Sequence, residues 1–559
     1  MTRKSYNYTC SIIIFALLIA LSGCGGSDEE KTTDTDAETI VNLDPAPEPE
    51  SEPTPEPLTT LDTTQEEDLL LEDASVQVEP EPIKDSEAVE EFDPTLDSDS
   101  QIAMYSWNEY MGGHYRERDW SRSIRDPSGP AKGGFIASDA LIEVVNSDGL
   151  ITTKDLDDFF NLYFPDIEED LKSNRLVIQF GGLGSAKDSE TGRQKVTEFL
   201  DLIETDASIY RDAMYERAKA IAQLENSDNV YWQIGNEISA TSYSTNIHEW
   251  AGDGIPASDS DVTIIPIFVE YFLAPGVEGI ERASEEVFGE KEKIHLMLGS
   301  VVNINDERKQ DFIDAILDYK IQGTYAPTLH NKTVAEVINS ISIHYSIGAP
   351  SSDWEDYLDH FVETRMGENK RIKNIFSTEE IGGSAASGGE AQGATARLLG
   401  RYMNWWEKHG WGPERGQLFL YAPDSNGKDD NDQIVENTSA GYFLTALSAL
   451  IGDELLTNNK THTQIFNASS NLEWYSFLTS HNKRLIVLFS EDKQPASVER
   501  VIFDYEGIEI PNITLFHLEK NSMSEYQPIA NFEGDNRYEI DLSGYSLQSF
   551  DALVIVTGE

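Results

Sequence analysis

Two acidic sites in this sequence have the residue types and the setting of paired catalytic carboxyl groups. Glu237 follows the apolar run 230–234, and Glu379 and Glu380 follow the apolar run 375–376. Each carboxyl group stands just beyond a short segment typical of a buried strand, and glycine or small polar residues come next. Two carboxyl groups held on separate rigid strands are suited to cleaving a glycosidic bond.

Strand-like and helix-like segments alternate through the middle of the chain. The predicted strands are 176–180, 230–234, 294–298, 337–343, 375–378 and 418–421. The predicted helices are 210–224, 281–288, 312–319, 395–406 and 440–451. This alternation is typical of βαβ units and a parallel sheet, which makes the fold class α/β.

Counting back from the segment at Leu418 as the eighth strand predicts a (β/α)8 TIM barrel over residues 101–452. Residues 101–150 must then hold the first two strands, and we expect the first at 102–106. Catalytic residues of such barrels lie at the carboxyl ends of the strands. Long connections at 239–275 and 321–336 are expected to form the walls of a substrate cleft.

The C-terminal part of the chain loses the helical pattern. Short apolar runs at 472–478, 484–489 and 552–556 are separated by polar turns. This spacing predicts a β-sandwich domain over residues 453–559.

The N-terminus has the features of a targeting segment. Positive charge at Arg3 and Lys4 precedes the apolar run 12–21, and small residues lead to Cys24. The stretch resembles the lipobox of bacterial lipoproteins. The resemblance implies that residues 1–23 are a signal peptide and that Cys24 carries lipid, which would anchor the protein in the cell envelope, in the outer membrane and facing the surface. The alternative is a plain secretory signal with a chance cysteine.

Residues 24–100 are predicted to be a disordered tether. The net charge of the chain is −60, and residues 25–100 contain 26 Asp and Glu against Lys31 and Lys84, with repeated prolines. Such a segment cannot bury enough apolar surface to fold, and it stays extended. The strongly acidic balance excludes a nucleic-acid partner. Once residues 1–23 are removed, one cysteine remains, which excludes an internal disulfide and thiolate zinc sites.

The two acidic sites resemble those of clan A retaining glycoside hydrolases. The resemblance is carried by Asn236-Glu237 after the fourth strand, Thr378-Glu379 on the seventh and His344-Tyr345 after the sixth. It is strongest for the xylosidase-, iduronidase- and heparanase-like members, which also have a trailing β-sandwich. It implies that Glu237 is the acid/base and Glu379 the nucleophile. It further implies that Asn236 binds the sugar 2-hydroxyl and that Tyr345 hydrogen-bonds the nucleophile.

Several of these assignments have alternatives. Reading back from Ile381 and Gly382 places the nucleophile on Glu380, and only one of two adjacent strand residues can point into the barrel mouth. His344 and Tyr345 could instead be packing residues of the core. The Asn108-Glu109 pair has the same residue types as Asn236-Glu237, but no buried strand leads into it.

Two groups of residues suggest how substrate is bound. Trp411 and Tyr421 lie near the eighth strand, where an aromatic floor for a sugar ring is expected, whereas tryptophans at 405–406 are expected in the core. Arg116 and Arg118 belong to a stretch of four arginines within residues 114–125. Arginine pairs bidentately with sulfate and carboxylate, so an anionic glycan such as a sulfated algal galactan or a uronic-acid polymer is expected there. The alternative is a surface loop whose arginines pair with neighbouring acidic residues.

The sequence therefore predicts a lipid-anchored retaining β-glycoside hydrolase acting on a polysaccharide or its oligosaccharides. No metal or organic cofactor is implied, because both catalytic groups are carboxyl groups. One alternative is a glycan-binding surface lipoprotein on an inactive barrel. Another is a transglycosylase, which would share every residue named above.

Overall fold

A computed structural model describes most of the chain from residue 175 onwards. The described residues are 105–106, 111–114, 133–138, 167–168, 171, 175–180, 182–184, 190–347, 351–380, 391–412, 415–420, 439–452, 455–458, 460–479, 481–491, 494–505, 511–519, 522–534, 536–548 and 551–558. The predictions outside these residues concern the signal peptide, Cys24, the tether, Asn108-Glu109, Arg116, Arg118 and Tyr421.

Eight parallel strands close into a barrel. After β1 (Tyr105–Ser106), the barrel strands are β2 (Met111–His114), β3 (Gly133–Ser138), β4 (Arg175–Phe180), β5 (Val230–Ile234), β6 (His295–Val302), β7 (Ser340–His344), β8 (Asn374–Glu380) and β9 (Leu418–Leu420). Each strand pairs in parallel with the next, and β9 pairs with β2. The predicted parallel barrel is confirmed, and six of its strands lie where the apolar runs predicted them.

Helices alternate with these strands. They are α1 (Glu190–Ala222), α2 (Thr241–Ala251), α3 (Ala274–Phe288), α4 (Glu307–Asp318), α5 (Ser351–Arg365), α6 (Ala391–Lys408) and α7 (Ala440–Ile451). The five predicted helices fall on α1, α3, α4, α6 and α7. Apolar residues at helical spacing mark the face that each helix turns to the core.

One helical stretch, Val262–Phe288, is apolar and long enough to cross a membrane by length and composition alone, and it is the one such stretch in the described part of the chain. It includes a π-helical turn at Phe268–Leu273. Most of it is buried within the fold, as in the core helix of a globular domain.

Two expectations about the barrel are wrong. Tyr105–Ser106 is not the first barrel strand, because β1 pairs antiparallel with β10 (Leu455–Asn458) of a different sheet. The true first strand is β2, whose sequence contains two glycines and lacks the apolar run that marked the others. The segment 321–336 connects α4 to β7 on the amino-end side of the barrel, so it does not line a cleft at the carboxyl ends.

Five of the barrel strands each contribute one apolar residue to a cluster inside the barrel. Val177, Tyr231, Met297, Phe376 and Phe419 form a buried cluster separate from the larger core between barrel and helices. Because side chains alternate between the two faces of a strand, the neighbours of these five point outward to the helices. The next inward position toward the carboxyl ends is therefore two residues further along each strand.

Antiparallel sheets form the C-terminal region. The remaining strands are β11 (Thr463–Phe466), β12 (Leu472–Thr479), β13 (Arg484–Ser490), β14 (Ala496–Ser497), β15 (Arg500–Asp504), β16 (Asn512–Glu519), β17 (Ser522–Tyr526), β18 (Asn531–Gly534), β19 (Arg537–Asp541), β20 (Ser546–Leu547) and β21 (Ala552–Gly558). A seven-stranded sheet runs β1-β10-β12-β13-β21-β16-β17, a four-stranded sheet runs β11-β15-β19-β18, and β14 pairs with β20.

The seven-stranded sheet has two buried faces. Along β13, Leu485, Val487 and Phe489 belong to the core shared with the barrel helices. The alternating Ile486 and Leu488 belong to a second core, which also contains residues of the four-stranded sheet. The seven-stranded and four-stranded sheets therefore share this second core, and β1 adds residues from before the barrel to the seven-stranded sheet.

Candidate active site

A layer of polar side chains lies next to the apolar cluster inside the barrel, on the side of the carboxyl ends of the strands. Gln179, Gln233 and Thr378 each lie two residues beyond an inward apolar residue of the same strand, and all three are buried. Thr378 Oγ1 donates to Gln233 Oε1 at 2.9 Å. Buried polar groups are stable only when hydrogen-bonded, so this layer marks the point where the barrel changes from packing to polar contacts.

Glu237 is presented by a sharp turn at the end of β5. Gly235 has φ of 100°, and a Cβ there would lie 2.6 Å from Ile238 Cγ2, so a glycine is required. Glu237 itself has φ of 52°, in the left-handed region that non-glycine residues rarely adopt. Its N–H donates to Ser300 Oγ at 2.8 Å. This bond holds the glutamate in a strained conformation that aims it over the barrel mouth.

Asn236 is fixed by two donors. Its Oδ1 accepts from Gln179 Nε2 at 2.5 Å and from Ser300 Oγ at 3.0 Å, and its N–H donates to the Tyr243 hydroxyl at 3.1 Å. With the oxygen engaged twice, Asn236 is oriented to offer its amide N–H groups to a ligand. This orientation suits a residue that donates to a sugar hydroxyl.

Glu379 is held by Tyr345 from the neighbouring strand. The Tyr345 hydroxyl donates to Glu379 Oε1, and the Tyr345 N–H donates to the Glu379 backbone oxygen at 3.1 Å. Tyr345 has φ of 49°, in the same left-handed region as Glu237. The predicted contact between Tyr345 and a carboxylate of the seventh barrel strand, which is β8, is therefore present.

His344 lies between the two carboxyl groups. Its Nδ1 is 3.6 Å from Glu237 Oε1 and 3.6 Å from Glu379 Oε2, and its side chain is fully buried. Its Nε2 contacts Thr378 Oγ1 at 2.9 Å. His344 thus links the polar layer below to the acidic pair above, and it is more than a packing residue.

The two carboxylates differ in exposure. A carboxylate oxygen of Glu237, a carboxylate oxygen of Glu379 and a ring nitrogen of His344 all lie within 4.8 Å of one another. The Glu237 side chain is 32% exposed and that of Glu379 is 11% exposed. Retaining enzymes place their two carboxyl groups about 5–5.5 Å apart, whereas inverting enzymes need room for a water between them. The spacing here is compatible with direct attack by one carboxylate.

Glu380 points away from this cluster. Its Oε1 accepts from Ser377 Oγ at 2.5 Å, from Ser346 N at 3.1 Å and from Ile347 N at 3.4 Å. Burial raises the pKa of Glu380 to about 7, although these hydrogen bonds oppose the shift. Of the two adjacent glutamates, the structure brings Glu379 and not Glu380 to Glu237.

Trp411 does not reach the site, and the prediction that it binds a sugar is wrong. It precedes β9, on the amino-end side, and is buried against Trp405 and Trp406, with ring centroids 5.4 and 6.0 Å away. Trp405 and Trp406 are themselves fully buried, as expected. The error arose because proximity in sequence to the eighth strand does not say which end of that strand a residue lies at.

Several site residues were missed from the sequence. Ser300, Gln179, Gln233 and Ser342 position the acidic pair and its histidine. The two glutamines could have been identified from the sequence, because each interrupts an apolar strand. A buried amide without a hydrogen-bond partner would be costly there. Ser300 lies at a register shift of β6, which no pattern in the sequence marks.

Comparison with known proteins gives structural matches only. No family model and no curated protein matches the sequence. A GH51 arabinofuranosidase from Xanthomonas axonopodis pv. citri is 11% identical over 82% of this chain and 97% of its own, with a TM-score of 0.39. The catalytic domain of GH30 xylanase C from Talaromyces cellulolyticus is 10% identical over 82% and 98%, with a TM-score of 0.38.

A third match is AbfB, a family 51 alpha-L-arabinofuranosidase from Bifidobacterium longum, 11% identical over 82% of this chain and 96% of its own, with a TM-score of 0.40. These neighbours are glycoside hydrolases, but such low identities and TM-scores carry no argument about activity. The function is therefore inferred from the acidic site itself.

Proposed function

We propose that this protein is a retaining β-glycoside hydrolase of clan A. The observation that carries the proposal is the cluster in which Glu237 and Glu379 both face His344 at 3.6 Å from the ends of different barrel strands. Such a pair supplies an acid and a nucleophile on rigid elements, in a barrel mouth where catalytic residues of this architecture lie.

In the proposed first step, Glu379 attacks the anomeric carbon while Glu237 gives its proton to the departing glycosidic oxygen. The bond between the sugar and its leaving group breaks, and an ester between the sugar and Glu379 forms. In the second step Glu237, now a carboxylate, takes a proton from water, and the resulting oxygen displaces Glu379. The greater exposure of Glu237 suits it to meet both leaving group and water.

Two neighbours support these roles. The Tyr345 hydroxyl on Glu379 holds the attacking carboxylate in one orientation. Asn236, whose oxygen is already occupied, would donate to the sugar 2-hydroxyl next to the reacting carbon. A hydrogen bond that strengthens as charge develops on the sugar lowers the barrier more than one that binds substrate and transition state equally.

The substrate is proposed to be a polysaccharide or its oligosaccharides, with Arg116 and Arg118 favouring anionic chains. The lipobox-like sequence at Cys24 supports a location at the cell envelope, held by lipid and by the acidic tether of residues 24–100. A surface-anchored enzyme would meet glycans too large to enter the cell.

The decisive experiment compares the full chain with Glu237→Gln on a panel of neutral, uronic and sulfated polysaccharides, with products followed by chromatography. We expect oligosaccharides from the parent and a loss on the order of 10²–10⁴-fold in the variant. On aryl glycosides with strongly acidic leaving groups the loss should be much smaller, because such groups depart without a proton. Glu368→Gln, an exposed change outside the site, serves as the matched control.

The stereochemical outcome tests retention. Nuclear magnetic resonance of the first product should show the anomer of the substrate, and added methanol should give a methyl glycoside of the same configuration. The inverted anomer would rule out the double displacement. Tight glycan binding without any product would instead indicate the binding-protein alternative.

The anionic preference has its own test. Arg116→Ala and Arg118→Ala should lower kcat/KM on sulfated or uronic chains and leave neutral chains unaffected. Arg308→Ala, an exposed arginine paired with Asp306, is the control. Equal activity on charged and neutral glycans in all variants would remove the anionic part of the proposal.

A further inference from the structure

We propose that Glu237, His344 and Glu379 also form a binding site for a transition-metal dication such as Zn²⁺, which occupies the acidic pair and blocks it. In the described part of the chain this is the one group of three ligating side chains whose ligand atoms come within 4.8 Å of one another. Metal binding itself does not depend on the proposed function. Only its inhibitory consequence does.

The directions of three hydrogen bonds determine which ring nitrogen of His344 carries the proton and which is free to act as a metal ligand. The backbone oxygen of Gly235 can only accept, so Gln233 must donate to it through Nε2, at 3.1 Å. Gln233 Oε1 therefore accepts, and the Thr378 hydroxyl donates to it. With its one proton committed, Thr378 must accept from the Nε2–H of His344 at 2.9 Å. In the neutral imidazole, Nδ1 then carries a lone pair.

That lone pair points at the two acidic groups. His344 Nδ1 is completely buried, and among the described residues it has no hydrogen-bond partner, since the carboxylate oxygens on either side lie at 3.6 Å. When Glu237 and Glu379 are both ionised, this lone pair faces two carboxylates. A metal cation at the centre would satisfy all three.

The dimensions suit a small ion. Zinc binds histidine nitrogen at about 2.0–2.1 Å and carboxylate oxygen at about 2.0–2.2 Å, so neighbouring ligands in a tetrahedral site are about 3.4 Å apart. The nitrogen here is 3.6 Å from each of two oxygens. Ligand atoms of the two glutamates come within 4.8 Å of each other, so the partly exposed Glu237 side chain would have to move toward Glu379 to complete the site.

The surroundings of His344 match those of a metal-bound histidine. Such histidines usually donate their other ring N–H to a fixed acceptor, which sets the tautomer and the ring orientation. Thr378 provides that acceptor, and Gln233 and Gly235 hold it in place. A nitrogen with two carboxylates favours Zn²⁺ over Mg²⁺ and Ca²⁺, which prefer shells of oxygen ligands.

The test is titration calorimetry of the chelator-treated full chain with Zn²⁺, followed by the same titration of His344→Ala, Glu237→Gln and Thr378→Val. We expect one strong site in the parent, a loss of affinity of about 100-fold or more when a ligand is removed, and about 10–100-fold when Thr378 is replaced. Glu380→Gln, which removes the adjacent carboxylate outside the cluster, should leave the affinity unchanged. Mg²⁺ and Ca²⁺ should not compete.

An equal affinity for Zn²⁺ in the parent, Glu237→Gln and His344→Ala would overturn the proposal, since the ion would then bind the acidic surface. Absence of saturable binding to the parent at millimolar Zn²⁺ would overturn it as well. If the buried His344→Ala change prevents folding, the partly exposed Glu237→Gln variant decides alone. Calorimetry needs no glycan, so its result is separate from the success or failure of the proposed hydrolase activity.

Discussion

The acidic pair at the carboxyl ends of the barrel strands and the ion pairs at the amino ends show two different arrangements of charge. At the amino ends of the strands, a cavity of about 1300 Å³ is lined by both acidic and basic residues. Arg371 lies between Glu281 at 3.2 Å and Glu292 at 2.6 Å. Arg365 contacts Asp318 at 2.5 Å and also bonds Asp314. Opposite charges are in direct contact here.

At the carboxyl ends, two glutamates converge on one histidine, and residues on both sides of the site have left-handed backbone conformations. Glu237 and Tyr345 both have positive φ. Like charges brought close together and strained residues reduce stability, and they persist where function requires them. The convergence of two glutamates at one end and the ion pairs at the other fit the division of roles in the proposed function, in which the amino end contributes stability and the carboxyl end contributes catalysis.

The largest predicted effect is a difference in activity between variants of the neighbouring residues Glu379 and Glu380. Glu379→Gln should lower kcat/KM by about 10⁴-fold or more, because the nucleophile is lost. Glu380→Gln should stay within about tenfold, since an amide oxygen can still accept from Ser346 N and Ile347 N. Steady-state kinetics measures both, and thermal unfolding confirms that both variants fold. Comparable losses would move the nucleophile to Glu380 or break the pairing with Glu237.

The next effect should appear at the other end, on stability. Arg371→Ala leaves the buried Glu281 without its close cationic partner, and the free energy of unfolding should fall by about 3–5 kcal/mol. Burial raises the pKa of Glu281 and Arg371 opposes that rise. Without Arg371 the folded protein holds the proton more strongly, so the deficit should grow as pH rises above 4.5.

Denaturant titrations at several pH values measure the loss in Arg371→Ala, with Arg308→Ala as the exposed control. The kcat of Arg371→Ala should remain within about twofold of the parent at temperatures where it is folded. A large fall in kcat without a change in stability would show that the two ends are coupled and that the division is wrong.

Sequence patterns predicted the buried strands well, because a parallel strand covered on both faces reads as a continuous apolar run. The segments 176–180 and 230–234 are such runs, and both are strands. β2 could not be found this way, since two of its four residues are glycine. Its place in the barrel depends on pairing with β3 and with β9, and β9 lies at the other end of the barrel sequence.

The choice between Glu379 and Glu380 shows why local patterns do not settle a site. Thr378 points inward, so strict alternation would turn Glu380 inward as well. The structure instead has a register shift at the end of β8, after which Glu379 faces the cluster and Glu380 returns to Ser377. The family-like motif pointed to Glu379, which the structure places in the cluster, whereas the pleat alone would have placed Glu380 there.

A smaller effect is expected from the residue that holds the nucleophile. Tyr345→Phe removes one hydrogen bond to a carboxylate, which is worth about 1.5–3 kcal/mol, so kcat/KM should fall by about 10–100-fold. Thermal stability should change little, because the phenyl ring fills the same space. Tyr442→Phe, at an exposed tyrosine of α7, is the control. A large stability loss with an unchanged rate would make Tyr345 a packing residue and remove it from the chemistry.

The smallest effect concerns a paired charge that lies at the carboxyl end. His248 is buried, with Nδ1 2.7 Å from Asp253 and Nε2 2.7 Å from Asp261, and the nearby Ser260 N–H bonds the Ser239 oxygen just after Glu237. Burial alone would lower the pKa of His248, but its bonds to Asp261 and Asp253 outweigh this and raise it. Burial likewise opposes the hydrogen bonds that lower the pKa of Asp261 to about 2.

A raised histidine pKa stabilises the folded state below the ordinary value of 6.5, and the contribution is lost as pH rises through the folded value. The free energy of unfolding of the parent should therefore decline above pH 6.5, and that of His248→Gln should not show this decline. The decline should be smaller than the loss of stability in Arg371→Ala. His462→Gln, at a half-exposed histidine of the C-terminal region, should keep it. If the free energy of unfolding of His248→Gln declines with pH as steeply as that of the parent, this charge cluster contributes nothing to stability. Packing and neutral hydrogen bonds would then hold the loops at the carboxyl end.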